Sequence, residues 1–245
     1  MILCLSCELP HVYDFAVDLS CWRLLQRRIH AELDRELATG LPVSYSDQRR
    51  LPYVEAVILE AMRLAPVVPL ALPRFTDVDV DVSKTTTTMT SEGGGLTVPA
   101  GSIVIANLWS VGRDPDVWNH DADVFRPERF LRGADTDKES ASISSDRTRS
   151  CPLGTDPDTR DVVDVSVSGS WVVDGRLVES FYPFSYGARR CVGESLGRLQ
   201  IFIFFATIMR SCRLVLVEGK PPPGYAETYG DVIRPAPYEI RIVPR

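Results

Sequence analysis

A cysteine flanked by glycines and arginines lies in the segment Phe184-Ser-Tyr-Gly-Ala-Arg-Arg-Cys-Val-Gly193. Cys191 precedes a long apolar run with helical spacing, so its sulfur is expected near a helix start, where free backbone N–H groups and the helix dipole favour an anion. A thiolate there can act as a nucleophile or as a metal ligand. A nucleophile needs a base, and the nearest of the three histidines, His120, is far away in the sequence. The segment therefore favours metal ligation.

The glycines and one arginine of this segment suit a flat cofactor. Gly187 and Gly193 permit backbone torsions and a close approach that a Cβ would prevent. Arg189, two residues before the sulfur, offers a fixed cation to a carboxylate. We therefore expect this loop to lie against a flat, acidic cofactor.

Three patterns in the chain resemble one known family. Residues 184–193 match F-x-x-G-x-R-x-C-x-G, which resembles the heme-binding loop of the cytochrome P450 family, the heme-thiolate monooxygenases. Glu60-Ala-Met-Arg63 resembles the E-x-x-R helix of that family, and Pro127-Glu-Arg-Phe130 resembles the segment whose arginine contacts that helix. The patterns occur in the family's order. The resemblance implies a cytochrome P450 domain over 21–245 with an insert at 131–173, after an unassigned stretch at 1–20.

The resemblance implies a heme b site and a structural triad. Cys191 takes the position of the axial ligand of the iron, and Arg74 that of a second cation for the heme carboxylates. The other residues of the heme loop that the resemblance assigns to cofactor binding are Phe184, Gly187, Arg189 and Gly193. The triad consists of Glu60, Arg63 and Arg129. On spacing alone, Glu60 and Arg63 form a surface ion pair worth less than about 1 kcal/mol, whereas losing one member of a buried triad costs roughly 3–5 kcal/mol.

An apolar segment at 67–72 follows the E-x-x-R pattern. Its composition alone is typical of a core strand, and prolines on either side favour an extended conformation. By resemblance it lines a pocket for a lipophilic substrate, such as a steroid, a fatty acid or a xenobiotic. The residues assigned to that pocket are Val67, Val68, Leu70, Val232 and Ile233.

The resemblance also implies a reaction and its partners. A thiolate ligand favours O–O cleavage at heme iron, so the expected reaction inserts one oxygen atom of O2 into the substrate, with electrons from an NADPH-dependent cytochrome P450 reductase. Arg189, Arg190 and Arg198 would present positive charge to that reductase. Glu194 after Gly193 is similar to the microsomal branch, which implies the cytoplasmic face of the endoplasmic reticulum membrane.

The sequence departs from the family before Trp22, where neither a membrane anchor nor the pattern of the oxygen-activating central helix is found. We therefore expect the C-terminal half of a member, truncated and without turnover alone. A non-catalytic heme-binding fragment is one alternative, and a thiolate-heme isomerase or dehydratase is another. A zinc or thiol enzyme built on Cys191 is a third.

Composition excludes several other classes of protein. The chain has 245 residues, of which 44% are apolar and 24% charged, as in ordinary globular domains. The net charge of −6 gives no reason to expect nucleic acid, because phosphate-binding proteins carry a basic excess. The six cysteines show no disulfide framework, and Cys4-x-x-Cys7 lacks the second pair of a zinc site. No stretch approaches the ~20 apolar residues of a membrane span.

The elements that must position these patterns are helical with small sheets, so the predicted fold class is mainly α with small β-sheets (α+β), as in the C-terminal part of the cytochrome P450 fold. A helix is predicted from Trp22 to the stop at Gly40, and a second one with caps at Ser46 and Asp47. Strands at 78–82 and 102–109 predict a hairpin around a turn at 85–95. Asp114 starts a short helix, and residues 214–217 and 237–243 are predicted to be short strands. A helix after the heme loop is predicted to bury Leu196, Leu199, Ile203, Phe204 and Ile208.

Overall fold

The computed structural model describes residues 19–38, 40–82, 97–133, 171–217, 227–228, 232, 234–235 and 239–245. The α-helices of this part are α1 Leu19–Glu36, α2 Pro52–Leu64, α3 Leu108–Val111, α4 Pro115–Trp118, α5 Gly175–Val178 and α6 Glu194–Ser211. Short 3₁₀ helices span Tyr45–Arg50, Pro127–Phe130 and Gly187–Arg189. The predicted fold class is confirmed, because helices dominate and the sheets are small.

The strands form antiparallel pairs, β1 with β4, β2 with β3, β5 with β6, β7 with β10 and β8 with β9. Their bounds are β1 Arg74–Phe75, β2 Val80–Asp81, β3 Thr97–Val98, β4 Ile103–Val104, β5 Leu131–Gly133, β6 Trp171–Val173, β7 Cys212–Leu216, β8 Glu227–Thr228, β9 Arg234–Pro235 and β10 Ile240–Pro244. The predicted hairpin is wrong in its pairing. Val80 of the first predicted strand pairs with Val98 rather than with a residue of 102–109, and Val104 of the second predicted strand pairs with Arg74. The second strand is also shorter than predicted, because α3 begins at Leu108.

The core lies where α1, α2 and α6 meet. Ile29 of α1, Val57 of α2 and Phe202 of α6 are buried in one apolar cluster. A second group of rings joins this cluster: Trp118 lies 5.8 Å from Phe130 and 5.9 Å from Phe181, measured between ring centroids. Burial of these large side chains supplies most of the driving force for packing the helices.

The predicted caps of the second helix are wrong. Ser44 caps the 3₁₀ helix at 45–50, with Asp47 completing its capping box, and α2 begins only at Pro52. No side chain of its own segment caps α2. Instead the carboxylate of Glu32, on α1, accepts hydrogen bonds from the N–H groups of Tyr53 and Val54, each at 2.9 Å.

The predicted buried face of α6 is correct only in part, because Ile203 and Ile208 are half-buried and pack against the core. Phe204 and Leu196 are exposed, whereas the buried residues of this helix are Gly197, Ile201, Phe202, Phe205, Ala206 and Met209. Helix α6 is apolar around most of its circumference, so apolar spacing alone does not identify which face meets the core.

The apolar segment at 67–72 is not extended. The Ala71 N–H donates to the Val68 carbonyl oxygen (3.1 Å), and Ala71 has a φ of 52°. The chain therefore turns here, and Leu70 and Leu72 at the turn are exposed rather than buried in a core strand.

The ends of the predicted insert at 131–173 are ordered into a sheet rather than a loop. Leu131 pairs with Val173 and Gly133 pairs with Trp171. Residues 134–170 of the insert, the Cys4-x-x-Cys7 pair and the predicted turn at 85–95 lie outside the described residues. Of the helices that the structure describes, none has both the length and the apolar character needed to cross a membrane.

Candidate functional site

The cysteine loop folds back on itself through backbone hydrogen bonds. The Cys191 N–H donates to the carbonyl oxygen of Phe184 (2.9 Å), and the Arg190 N–H donates to that of Gly187 (3.1 Å). Gly187 has a φ of 79°, in the left-handed region where a Cβ is disfavoured. The 3₁₀ turn that begins at Gly187 therefore returns the chain to Phe184 and leaves Cys191 exposed as a free thiol.

Helix α6 starts immediately after this cysteine. Gly193 is the N-cap residue of α6, with φ −89° and ψ 5°, a conformation that residues other than glycine also adopt. A Cβ built on Gly193 would lie 3.8 Å from the Cys191 Sγ, at ordinary contact distance. The protein itself does not demand glycine here. The absent Cβ leaves open space directly beside the sulfur, as a group bound to that sulfur requires.

Arg74 connects the hairpin to the cysteine loop. Its Nη2 donates to the carbonyl oxygen of Arg189 (2.9 Å) and to the Ser185 Oγ (3.4 Å). Two predicted cofactor cations, Arg74 and Arg189, therefore meet at the same loop. The Arg189 side chain is exposed and Arg74 is half-buried.

The surroundings of the sulfur fit a heme better than an ion held by side chains alone. Among the described residues, no cluster of three or more His, Cys, Asp or Glu side chains could hold a metal ion. Large apolar side chains of the loop, Tyr186 and Val192, are exposed, and so are Leu72 and Phe75 on either side of Arg74 in the sequence. One free thiol, two guanidinium groups and exposed apolar surface match an iron, acidic tails and a flat apolar ring.

Glu60, Arg63 and Arg129 meet in the interior. Arg63 donates to both carboxylate oxygens of Glu60, at 2.7 Å from Nε and 2.8 Å from Nη2. The Arg129 Nε donates to the Glu60 Oε1 at 3.0 Å. The side chains of Glu60 and Arg63 are 0% exposed, so the alternative of a surface ion pair is excluded.

No pattern in the sequence indicates the backbone groups that complete this cluster. Arg63 donates through Nη1 to the carbonyl oxygens of Gly112 and Ala122 and stacks over the Trp118 ring, 5.1 Å from its centroid. The Arg126 N–H donates to the Glu60 Oε1 (2.8 Å). These donors and acceptors come from an irregular connection whose course depends on tertiary packing, which no short sequence pattern encodes.

The predicted substrate residues are placed at two regions of the chain. Val67 and Val68 are half-buried, Leu70 is 52% exposed, and a hydrogen bond from the Trp109 N–H to the Pro69 carbonyl oxygen (3.1 Å) ties their turn to α3. Val232 is half-buried, and Ile233 lies outside the described residues.

The arginines predicted to face a reductase differ in their environment. Arg189 and Arg190 are exposed, whereas Arg198 forms an ion pair with Glu194 at 3.0 Å and its side chain is 22% exposed. Arg198 also lies over the Phe184 ring, 5.2 Å from its centroid. It is therefore held within the site rather than free at the surface.

The cytochrome P450 family model matches residues 23–155 and 162–242. Mouse cytochrome P450 2U1 is 30% identical over 223 residues, which cover 90% of this chain and 32% of the relative. Solved structures of a zebrafish cytochrome P450 with abiraterone and with progesterone give TM-scores of 0.68 and 0.67 at 27% and 25% identity, covering 98% of this chain and 44% and 43% of theirs.

This chain thus spans about a third of the length of the curated relatives it matches, 32% for the mouse protein. Within that span, the order of the motifs, the helix-rich fold and the family match agree. The resemblance inferred from the three motifs is confirmed, and the chain belongs to the cytochrome P450 family.

Proposed function

We propose that this chain provides the heme-thiolate centre of a monooxygenase, with Cys191 as the axial ligand of heme b. The observation that carries this proposal is the exposed free thiol of Cys191, whose backbone N–H is held by the Phe184 carbonyl oxygen just before α6. When bound, a thiolate-ligated heme supplies the activation of O2 needed to insert one oxygen atom into an organic substrate.

The other residues of the loop bind and orient the cofactor. Arg74 and Arg189 hold its carboxylates, since guanidinium groups recognise carboxylates in a fixed planar geometry. Phe184 is buried beneath the loop, Gly187 allows the left-handed turn of the loop, and Gly193 leaves open space beside the sulfur. The buried triad of Glu60, Arg63 and Arg129 fixes the scaffold at a distance from the reaction.

The proposed substrate is a lipophilic small molecule, such as a steroid, a fatty acid or a xenobiotic. The support is the apolar turn at 67–72, of which Val67, Val68 and Leu70 face the substrate, with Val232 and Ile233 from the C-terminal region. A zebrafish relative was solved with progesterone. Apolar pockets select by shape, so this proposal covers a class of substrate.

Electrons come from cytochrome P450 reductase, which draws them from NADPH. The exposed arginines next to the sulfur, Arg189 and Arg190, provide the cationic docking surface, and such contacts weaken as salt is added. Association with the cytoplasmic face of the endoplasmic reticulum membrane is part of the same proposal and is supported by the resemblance of Glu194 to the microsomal branch.

Two cysteine variants test the heme ligand. The chain is reconstituted with ferric protoporphyrin IX, reduced and treated with carbon monoxide, and its absorption spectrum is recorded. Cys191→Ser should lose the long-wavelength band of thiolate ligation, because a hydroxyl is not a thiolate donor. Cys212→Ser, which removes the other free cysteine that the structure describes, should keep it. A thiolate-type band that survives Cys191→Ser would disprove the proposed function.

Adding reductase and NADPH to the same preparations, with a panel of lipophilic compounds, tests the reaction. Oxygenated product that requires the electron donor supports a monooxygenase. A rearranged or dehydrated product formed without the donor would instead identify an isomerase or dehydratase. A thiolate-type spectrum with no product of either kind would identify a heme-binding chain without catalysis.

A further inference from the structure

Arg198 of α6 contacts a carboxylate and an aromatic ring. Its Nε donates to the Glu194 carboxylate one turn earlier on the helix (3.0 Å), and its guanidinium lies over the Phe184 ring at 5.2 Å. It also acts electrostatically on Glu55, in the first turn of α2. Burial raises the pKa of Glu55, and a hydrogen bond with Gln48 and the charge of Arg198 oppose that effect. The guanidinium thus pairs with the Glu194 carboxylate and lies over an aromatic face.

The aromatic ring beneath the Arg198 guanidinium belongs to Phe184, whose backbone is hydrogen-bonded to the cysteine. The Phe184 carbonyl oxygen accepts the hydrogen bond from the Cys191 N–H (2.9 Å), and its side chain is buried. The ring also lies close against the helix, because a Cβ on Gly197 would come within 3.4 Å of its Cε1. The ring is therefore confined between α6 and the guanidinium, and the same residue carries both this ring and the backbone acceptor of Cys191.

We propose that Arg198 is a positioning residue that fixes the Phe184 ring and, through the Phe184 backbone, the orientation of the Cys191 sulfur. This inference rests on the proposed heme-thiolate function. It assigns Arg198 a role different from that of the exposed Arg189 and Arg190. A guanidinium stacked on an aromatic face and paired with a carboxylate is held in one geometry, which a docking cation at the surface does not need.

The experiment follows the stability of thiolate ligation. The full chain is loaded with ferric protoporphyrin IX, reduced with dithionite and exposed to carbon monoxide, and the loss of the thiolate-type band is timed. Arg198→Met, which keeps length but removes charge and planarity, should lose the band several-fold faster than the unmodified chain. Arg198→Lys, which keeps the charge beside Glu194, should lose the band at a rate between those of Arg198→Met and the unmodified chain.

A matched control removes an arginine that lacks a contact with the loop ring. Arg176 pairs with Asp174 at 2.8 Å and its side chain is 85% exposed, so Arg176→Met should leave the rate of band loss unchanged. The melting temperature of each variant reports folding. If Arg198→Met does not fold, Glu194→Gln, which removes only the ion-pair partner, should accelerate the loss in the same direction but less.

The outcomes separate this inference from the proposed function. An Arg198→Met chain that keeps the unmodified rate of band loss but binds cytochrome P450 reductase more weakly would identify a docking cation and overturn the positioning role. If the unmodified chain gives no thiolate-type band and matches Cys191→Ser, the proposed function itself fails, and the positioning role fails with it.

Discussion

Arg63 is one of the largest fully buried side chains that the structure describes, and its charge is matched by a set of partners from distant parts of the chain. The carboxylate of Glu60 neutralises it, and the carbonyl oxygens of Gly112 and Ala122 accept from its Nη1. A buried guanidinium is tolerated only when its donors are satisfied. The position of every acceptor, including the backbone at Gly112, is therefore constrained.

Gly112 lies so close to the backbone of Arg63 that a side chain cannot be added. A Cβ there would lie 2.4 Å from the Arg63 carbonyl oxygen, although the backbone of Gly112 (φ −67°, ψ −10°) suits any residue. Gly112→Ala should therefore lower the free energy of unfolding by about 1–3 kcal/mol, the usual cost of overpacking. Chemical denaturation measures this loss.

The control for this prediction is Gly175→Ala, where an added Cβ meets nothing within 4 Å. That variant should change the free energy of unfolding by less than about 0.5 kcal/mol. Equal stability of Gly112→Ala and the unmodified chain would show that α3 and α2 separate at no cost, which contradicts the constraint on Arg63.

At the scale of elements, α2 carries Glu60 and Arg63 and depends on α1 for its cap. The Glu32 carboxylate accepts from two N–H groups in the first turn of α2. These groups would otherwise lack partners, and the carboxylate also interacts favourably with the positive end of the helix dipole. Helices α1 and α2 are thus fixed relative to each other by a charged group that is 5% exposed.

The pH dependence of stability tests this cap. Burial raises the pKa of Glu32 to about 6, and hydrogen bonds from the backbone oppose this effect. In an unfolded chain the same carboxyl group has a pKa of about 4.3. Between these two pKa values the folded chain keeps the proton of Glu32, whereas the unfolded chain has released it. The contribution of Glu32 to the free energy of unfolding therefore falls as the pH rises through this window, by an amount on the order of 2 kcal/mol. Glu32→Gln should remove that fall.

Denaturation curves recorded between pH about 4 and about 7 compare the two chains. Glu36→Gln on the same helix, which loses ion pairs with Arg35 and Arg50 at a partly exposed site, should keep most of the fall seen in the unmodified chain, because the charge of Glu36 is the smallest of the causes that act on the pKa of Glu32. A Glu32→Gln chain with an undiminished fall over this range would assign the titration to another group.

The same elements show what sequence patterns can predict. Spacing predicted α1 and α2, because their polar and apolar residues recur with a helical period, and the Asp114-Pro115 start predicted the short helix α4. It missed part of the buried face of α6, which has too few polar residues to mark an exposed side. It also missed Glu32, since a cap supplied by another helix leaves no local signature near Pro52.

At the scale of the whole molecule, the loop and the triad were predictable as motifs, because their residues are specified at fixed spacings. The structure brings Glu60, Arg63 and Arg129 together and places Arg74 on the cysteine loop. The backbone groups that surround these side chains were not predictable from the sequence. Gly112 and the acceptor carbonyl oxygens lie in connections whose positions follow from packing of the entire chain. No residue type in the sequence indicates these groups.

One side chain joins the first described helix to the last sheet. The Gln26 amide of α1 donates to the Leu214 carbonyl oxygen (2.9 Å) and accepts from the Leu214 N–H (2.8 Å). Both backbone groups of Leu214 face Gln26, which therefore occupies the free edge of β7 as a neighbouring strand would. Trp22 also donates to the same carbonyl oxygen (3.3 Å).

Replacing this amide by an apolar group of similar size isolates the two hydrogen bonds. In Gln26→Leu the carbonyl oxygen of Leu214 keeps the bond from Trp22, but its buried N–H loses its acceptor, so the free energy of unfolding should fall by about 1–3 kcal/mol. Chemical denaturation measures the fall, and Arg27→Leu, which places leucine at the exposed neighbouring position, should change it by less than about 0.5 kcal/mol. A neutral or stabilising effect of Gln26→Leu would mean that burial of apolar surface, rather than this amide, holds α1 to the C-terminal sheet.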